Sequence, residues 1–291
     1  GDRVLVHEGV YREWVKPARG GKNDLCRITY EAVPGEKVVM KGSEVISDWE
    51  NDEGTVWKAK IPNALFGDYN PYAERMKGDW YLHPDYPLHT GEVYLNGKAM
   101  YEAASLEDVR QPKMRKKGVG AYYPRCTETI LYPEDTIYQW WSVVGKEDTT
   151  IYANFQEYNP NEQEVEINVR ESCFYPEKRG IDFITVKGFE IAHGATRWAP
   201  PSAKQQGMVG PRWSKGWIIQ NNIIHDSKCM GISIGRDDLF VVDLEKERFR
   251  KSGHQRQLEL IFEAGSMGWS KEHIGSHIIC DNTIYNCGQN G

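Results

Sequence analysis

The sequence lacks any apolar run long enough to cross a bilayer, and it has no excess of positive charge. Its 36 lysines and arginines are outnumbered by 42 aspartates and glutamates, which gives a formal net charge of -6. A transmembrane helix needs about 20 consecutive apolar residues, and a nucleic-acid-binding domain carries a basic surface. The sequence therefore predicts neither a membrane partner nor a nucleic-acid partner.

The cysteines lack the pattern of a metal site or of a disulfide-stabilised scaffold. Six of them are scattered along the chain, without the close paired spacing of a zinc site. We therefore expect buried free thiols, no metal, no cofactor, and a reducing, cytoplasmic compartment. No signal peptide begins at Gly1. Both ends are expected to be cut from a longer chain, because Gly1 opens directly on a turn and strand and Gly291 ends within a repeat.

What the sequence does contain is an imperfect repeat that occurs three times. The copies begin at Phe183, Trp217 and His277, and each has a short apolar stretch, a polar corner and a second apolar stretch. A unit this small cannot bury its own apolar face, so it must stack on copies of itself. The repeat predicts an all-β fold, namely a right-handed parallel β-helix or solenoid. An ordinary strand-turn-strand motif in another all-β fold is the alternative.

The alignment of the three copies predicts which residues stack on one another. The first copy aligns when Thr185 is set against Ile218. This alignment gives two apolar columns. One contains Val186, Ile219 and Ile279, which are expected to stack inside the β-helix, and the other contains Ile191, Ile224 and Ile284. Two corner residues, Asn222 and Asn282, are expected to form a hydrogen-bonded ladder.

The spacing of the copies predicts a long loop. Val186 and Ile219 are 219 − 186 = 33 residues apart, whereas Ile219 and Ile279 are 279 − 219 = 60 residues apart. The second interval is too long for one turn of the β-helix, so residues 237–271 are predicted to leave it as a long loop. An amphipathic helix from about Leu244 to Phe262 is expected within that loop.

A change of pattern predicts an insertion in the β-helix. Residues 1–48 are predicted to form its first turns, with a corner at residues 9–11, and residues 166–291 to continue it. Residues 49–165 lack the repeat and contain antiparallel signals such as the Asn96-Gly97 turn, which predict an inserted antiparallel β-sandwich-like domain. The alternating segment from Glu164 to Val169 is expected to return the chain to the β-helix.

Aromatic side chains give the first indication of chemistry. The chain has 10 tryptophans and 16 tyrosines, many of them beside charged or loop residues. A flat indole beside a charged side chain suits a sugar, which has an apolar C–H face and a polar rim. The candidate substrate-binding residues are Trp80, Arg212, Trp213, His225 and Arg236. Core positions are expected instead for Trp57, Trp140 and Trp217.

Several segments resemble one enzyme family, the β-xylosidases of glycoside hydrolase family 120. These segments are residues 1–15, 27–32, 41–46, 67–72, 91–97 and 271–277. The resemblance implies a β-helix with an inserted β-sandwich, and retaining hydrolysis of β-linked xylose from xylo-oligosaccharides. It also implies an Asp nucleophile and a Glu acid/base. Neither family motif for these two residues occurs in this sequence, so the catalytic pair is expected C-terminal to this chain.

Three acidic residues are the fallback candidates for catalysis within the chain. Asp237 and Asp238 follow Gly235-Arg236 at the start of the long loop, where positive charge would lower the pKa of a carboxyl group. Glu263 follows an apolar stretch that could raise its pKa. The alternatives are a solvated loop start for the two aspartates and an ordinary helical position for Glu263.

Two other functional classes remain open at this stage. A β-helix polysaccharide lyase would need Ca²⁺ held by clustered aspartates or a basic side chain as proton acceptor. A non-catalytic carbohydrate-binding or adhesion β-helix would need no converging carboxylates. A homo-oligomer is also left open.

Overall fold

The structure is a computed structural model. It describes residues 1–79, 81, 86–119, 127–200, 203–235, 237, 253–266 and 268–288. Within these ranges the chain is mostly β-structure with two α-helices, which confirms the predicted all-β class. The chain divides into two compact units. The first contains Gly1–Gly42 and Ser172–Gly288, and the second contains Ser43–Glu171.

The described strands are short, and most have three to seven residues. In chain order they are β1 (Arg3–Val6), β2 (Gly9–Tyr11), β3 (Ile28–Ala32), β4 (Val38–Lys41), β5 (Ser43–Val45), β6 (Glu50–Glu53), β7 (Val56–Pro62), β8 (Val93–Leu95), β9 (Lys98–Ala99), β10 (Tyr101–Glu102), β11 (Lys117–Val119), β12 (Thr127–Thr129), β13 (Gln139–Val144), β14 (Asp148–Asn154), β15 (Val165–Asn168), β16 (Ile184–Lys187), β17 (Glu190–Ala192), β18 (Ile218–Gln220), β19 (Ile223–His225), β20 (Ile278–Cys280) and β21 (Thr283–Tyr285). The helices are α1 (Leu106–Arg110), α2 (Gly253–Ser266) and the 3₁₀ helices Asn63–Phe66, Pro133–Ile137 and Pro160–Glu162. Neither described α-helix is long and apolar enough to span a membrane.

The first unit is built from two parallel sheets. Their strand orders are β1-β3-β16-β18-β20 and β2-β4-β17-β19-β21, so each pass of the chain adds one strand to each sheet. A third row of parallel β-bridges joins Val15, Phe174, Val209 and Ile232 in that order. The chain therefore returns to the same three rows in successive passes.

The register of these sheets confirms the alignment of the repeat. Thr185 lies opposite Ile218, and Val186, Ile219 and Ile279 are paired in sequence. The second predicted column, Ile191, Ile224 and Ile284, is also in register. The alternation of side chains along a strand then directs both columns to the same interior.

The apolar columns are buried except at the last strands. Val186 and Ile219 are fully buried in the core of the first unit. Ile279 and Ile284, in contrast, are 40% and 49% exposed. The expectation that Ile279 is buried was therefore wrong, because β20 and β21 are the outermost strands of their sheets and no described strand lies beyond them.

The corner between the two sheets explains the recurrence of Gly, Asn and Asp. Gly188, Asn221 and Asp281 occupy equivalent positions after β16, β18 and β20, and their φ angles are 80°, 54° and 55°. This left-handed backbone conformation is costly for most residues but accessible to Gly, Asn and Asp. The repeat thus contains these residue types where the chain must turn from one sheet to the other.

The predicted asparagine ladder is present at the next position. Asn222 Oδ1 accepts a hydrogen bond from the backbone N–H of Phe189 (3.0 Å), and Asn222 Nδ2 donates to the carbonyl of Val186 (3.1 Å). Asn282 repeats the pattern, accepting from the Asn222 backbone N–H (3.0 Å) and donating to Ile219 (2.8 Å). The ladder satisfies backbone groups that the turn would otherwise leave unpaired.

The second unit is mainly antiparallel. One sheet has the order β10-β13-β14-β7-β6, another has the order β5-β15-β8-β9, and β11 pairs with β12. Both larger sheets contribute side chains to one core, which includes Trp140, Ile151 and Ile167. The predicted hairpin is confirmed, since β8 pairs with β9 across Asn96 and Gly97, which have positive φ angles.

Two predicted strand assignments require correction. Residues 9–11 form β2, which pairs with β4 in the parallel sheet, rather than a corner. Strand β15 was expected to return to the β-helix, but it pairs antiparallel with β5 and β8 in the second unit. Its alternating pattern marks a strand but does not specify the sheet to which the strand belongs.

The burial predicted for the tryptophans and cysteines is confirmed only in part. Trp140 and Trp217 are fully buried, as expected, whereas Trp57 is half-buried against the core of the second unit. Of the described cysteines, Cys173 is buried but Cys26 is exposed, and the other three are half-buried. Helix α2 begins at Gly253, and the earlier part of the predicted Leu244–Phe262 helix lies outside the described residues.

We predict that Asn222→Ala destabilises the protein more than Asn282→Ala does. The first substitution leaves two backbone groups in a buried position without partners, at a cost of about 2–4 kcal/mol. Asn282 is half-buried, so water can replace part of its hydrogen bonding. Urea unfolding of both variants tests the ladder, and equal losses would contradict its assigned role.

Candidate functional site

A charged cluster follows the row of parallel bridges in the first unit. Arg179 lies five residues after Phe174, Arg212 lies three after Val209, and Asp237 lies five after Ile232. Because the three bridge residues are adjacent in space, the segments that follow them also come together. Three consecutive passes of the chain thus each contribute one charged side chain, and we refer to Arg179, Arg212, Trp213 and Asp237 as the arginine cluster.

Asp237 lies at the centre of the arginine cluster. Its Oδ2 accepts hydrogen bonds from Nε of Arg179 at 2.6 Å and from Nε of Arg212 at 2.7 Å. The side chain of Asp237 is only 1% exposed. The solvated loop start considered from the sequence is therefore wrong, because this carboxylate is buried and paired with two guanidinium groups.

The two arginines determine the charge state of Asp237. Burial alone would raise the pKa of its carboxyl group by penalising the charged form. The hydrogen bonds and charges of Arg212 and Arg179 outweigh this effect, and the pKa is lowered below its ordinary value. A carboxylate in this state accepts hydrogen bonds, and it is unsuited to act as a general acid.

Both arginines are also held by other contacts. The guanidinium group of Arg179 lies over the Trp213 ring, 4.9 Å from its centroid. Arg212 Nη1 donates to the backbone carbonyl of Glu177, and the Glu177 carboxylate forms an ion pair with Lys16 at 2.7 Å. The backbone N–H of Gly180 donates to the carbonyl of Trp213 at 2.8 Å. The cluster is consequently cross-linked between neighbouring passes.

Arg179 is the member of this cluster that we did not identify from the sequence. It precedes Arg212 by 212 − 179 = 33 residues, the same interval that separates Val186 from Ile219. Extending the repeat backwards from Phe183 would have placed the two arginines on adjacent turns. The signal was therefore present in the spacing, although the apolar motif begins only after Arg179.

His225 belongs to a different group of side chains. Its Nδ1 lies 2.6 Å from Asp226 Oδ2, and its Nε2 lies 3.5 Å from Glu190 Oε1. The imidazole ring is stacked on Tyr285 with a centroid distance of 4.8 Å, and it lies at 86° to the His193 ring with the centroids 6.4 Å apart. Only 12% of the His225 side chain is exposed, so its ring nitrogens are directed at carboxylates within the protein.

The remaining predicted site residues are not brought into the arginine cluster. Trp80, Arg236 and Asp238 lie outside the described residues. Glu263 is half-buried on α2, but Ile261 and Phe262 beside it are exposed, so the apolar surroundings expected from the sequence are incomplete. No group of His, Cys, Asp and Glu side chains within the described ranges is arranged to hold a metal ion.

Comparison with known proteins relates the chain to carbohydrate-active enzymes. Residues 46–167 match the family model described as "Glycoside hydrolase 120, insertion domain". A solved structure described as "The complex structure of XylC with xylose" is 54% identical, with a TM-score of 0.94. That match covers 99% of this chain and 45% of XylC, so the chain spans less than half the length of XylC.

A second solved structure is much more distant. It is described as "Glycoside hydrolase", is 11% identical with a TM-score of 0.45, and the match covers 79% of this chain and 59% of the other. This similarity is too low to support a conclusion. Among curated proteins, no sequence matches the chain.

The arginine cluster predicts a specific pH dependence of stability. Because the pKa of Asp237 is lower in the folded protein than in the unfolded chain, its ionised form stabilises the fold. This contribution is complete above about pH 4, the ordinary pKa of Asp, and is lost as the pH falls through the folded-state pKa.

Asp237→Asn removes this contribution, so we expect it to lower the midpoint of thermal unfolding more at about pH 7 than at about pH 3. Thermal unfolding of both proteins over this pH range provides the measurement. Asp226→Asn, in the separate His225 group, is the control for loss of one carboxylate elsewhere in the same unit. The midpoint of thermal unfolding should be higher for the wild type than for Asp237→Asn by an amount that shrinks as the pH falls. An amount that grows instead would contradict the assigned charge state.

Proposed function

The chain belongs to glycoside hydrolase family 120, and from this membership we propose that it forms part of a retaining glycosidase that releases β-linked xylose from xylo-oligosaccharides. The observation that carries the proposal is the 54% identity to XylC along 99% of this chain. XylC binds xylose in its solved structure. Because this chain is 54% identical to XylC, we expect the protein that contains it to bind the same class of sugar as XylC.

We further infer that the first unit is a right-handed parallel β-helix. This proposal is supported by the return of successive passes to two parallel sheets and one row of parallel bridges. Right-handed connections between parallel strands are strongly preferred. The second unit is then an inserted β-sandwich-like domain, in agreement with the extent of the matching insertion-domain model.

We place the catalytic carboxylates in the part of XylC-like proteins that this chain does not span. A retaining glycosidase needs two carboxyl groups about 5–5.5 Å apart, one as nucleophile and one as acid/base. Three acidic side chains of the first unit already contact arginine or histidine side chains. Asp237 is bound by two arginines, and Asp226 and Glu190 both contact His225.

The substrate-binding roles suggested by the sequence remain proposals, with two revisions. Trp213 was expected to stack on a sugar ring, but one of its faces is covered by Arg179. A sugar could stack only on the opposite face of the Trp213 ring, and Arg212 stays a candidate hydrogen-bond donor at this position. We retain Trp80 and Arg236 as candidate contacts of the xylo-oligosaccharide, but no longer His225, because its ring nitrogens face Asp226 and Glu190.

The pairing of Asp237 weighs against a calcium-dependent lyase. A Ca²⁺ site requires several oxygen ligands in one place, whereas Asp237 directs Oδ2 at two positively charged groups.

The free state of the described cysteines favours a reducing compartment, and we propose a cytoplasmic location on that basis.

Activity measurements on proteins of two lengths test the proposal. A longer protein, in which this chain is followed by a segment equivalent to the rest of XylC, should hydrolyse an aryl β-D-xyloside. The 291-residue chain alone should show no turnover, because loss of the nucleophile and acid/base removes several orders of magnitude in rate.

The control for substrate class is an aryl α-L-arabinofuranoside measured under the same conditions. Turnover of the xyloside by the chain alone would place catalysis at Asp237, Asp238 or Glu263 instead. Absence of xyloside turnover by a folded longer protein would contradict the proposed substrate class.

A further inference from the structure

We propose that the exposed apolar side of helix α2 is an interface through which two copies of this chain associate as an antiparallel dimer. The side consists of Leu258, Ile261, Phe262 and Gly265, and we refer to these four residues as the apolar stripe. The stripe belongs to the first unit, and its role is independent of the proposed glycosidase activity.

The apolar stripe follows the period of an α-helix. Helix α2 runs from Gly253 to Ser266, and neighbouring members of the stripe are three or four positions apart, so they lie on one side of the helix. An amphipathic helix normally turns such a side towards the protein core. The side that α2 turns inwards instead carries Leu260, which is 4% exposed, with Gln257 and Ala264 half-buried beside it.

The side chains of the stripe are open to solvent. Leu258 is 56% exposed, Ile261 is 59% exposed and Phe262 is 76% exposed. Trp269 follows the helix and is 50% exposed, and its backbone N–H donates to the carbonyl of Ala264 at 3.0 Å, which holds it near the end of the helix. Single exposed apolar residues are ordinary on a protein surface, whereas a contiguous apolar patch marks a contact surface.

The size of this patch fits a small dimer interface. The exposed parts of the three large side chains of the stripe and of Trp269 amount to about 500 Å² in one copy, so two copies would cover about 1,000 Å² between them. That area is the lower limit for a specific interface between proteins, and permanent dimers cover more. We therefore expect reversible association, with a dissociation constant on the order of 10 μM.

The shape of the stripe suits a second copy of itself. Within the described residues, and apart from the adjacent helix backbone, no atom lies within 4 Å of the position that a Cβ atom of Gly265 would take, so the stripe has a gap there. In an antiparallel pair with its twofold axis between Ile261 and Phe262, Leu258 of one copy lies opposite Gly265 of the other. A large side chain then meets a gap at both ends of the interface, and the two helix dipoles oppose each other favourably.

The competing explanation is that another part of the longer protein covers the stripe. More than half of XylC has no counterpart in this chain, since the match covers 45% of XylC. A covering segment of unrelated sequence would not require Leu258 and Gly265 to be equally far from the middle of the stripe, whereas a twofold axis does. Measurements on both the 291-residue chain and the longer protein separate the two explanations.

Sedimentation equilibrium measures the association directly. We expect the 291-residue chain to pass from monomer to dimer between about 1 and 300 μM. The association should not weaken when NaCl is raised to about 0.5 M, because apolar contacts are not screened by salt. A chain that remains monomeric throughout this concentration range would overturn the proposal.

Phe262→Asp tests whether the stripe is the surface in contact. It places a charge at the centre of the interface and should weaken the dimer at least about 30-fold, because the carboxylate loses water on association. Leu25→Asp is the matched control, since Leu25 is 93% exposed in the same unit and the substitution adds the same charge elsewhere. Thermal unfolding confirms that both variants are folded. A dimer that Phe262→Asp leaves unchanged would use another surface and would overturn the proposal.

Gly265→Leu separates packing from apolar area. It adds apolar surface and favours the helix, so an interface that depends on apolar area alone would become tighter. If Leu258 of a second copy fills the gap at Gly265, the added side chain prevents the helices from approaching, and the dimer weakens at least about tenfold. Tighter or unchanged association would overturn the antiparallel arrangement.

Cysteine cross-linking identifies the orientation, and it applies equally to the longer protein. The substitutions are made together with Cys26→Ser, because Cys26 is exposed. A mixture of the Leu258→Cys and Gly265→Cys proteins should give a disulfide-linked dimer with one chain of each, since the two positions are opposite each other. Cross-linking of Leu258→Cys with itself would indicate a parallel pair and overturn the arrangement. Absence of the mixed cross-link in the longer protein would place another segment on the stripe and overturn the proposal.

Discussion

Hydrogen bonding between parallel strands of successive chain passes is the interaction on which the rest of the first unit depends. It keeps Val186 against Ile219 and Ile191 against Ile224, so apolar side chains that one pass could not bury alone form a continuous core. The same register places Asn222 over Asn282 and Phe174 next to Val209. A shift of one residue would reverse the inward and outward faces of a strand, and would also separate the side chains of the arginine cluster.

The repeat in the sequence was enough to predict this register. It did not predict which charged side chains the register brings together. Gly188, Asn221 and Asp281 identify the corner because the backbone there has positive φ angles. The burial of Asp237 could not be predicted in the same way. It depends on Arg179 and Arg212 from two other passes, and residues that lie apart in the sequence compensate the buried charge.

Strand β15 shows a second limit of sequence patterns. Alternation of apolar and polar residues identified residues 165–168 as a strand, but β15 lies between β5 and β8, and its residues are buried. Its partners are determined by long-range contacts within the second unit rather than by its own sequence. The sheet to which β15 belongs could therefore be determined only from the structure.

We propose that this chain forms part of a glycosidase that cleaves β-xylosidic bonds with retention. Proton NMR of the first-formed xylose, recorded before mutarotation during hydrolysis of an aryl β-D-xyloside by the longer protein, tests it most directly. Formation and breakdown of a covalent glycosyl-enzyme intermediate invert the anomeric carbon twice, so β-xylose should form first. Initial release of α-xylose would contradict it.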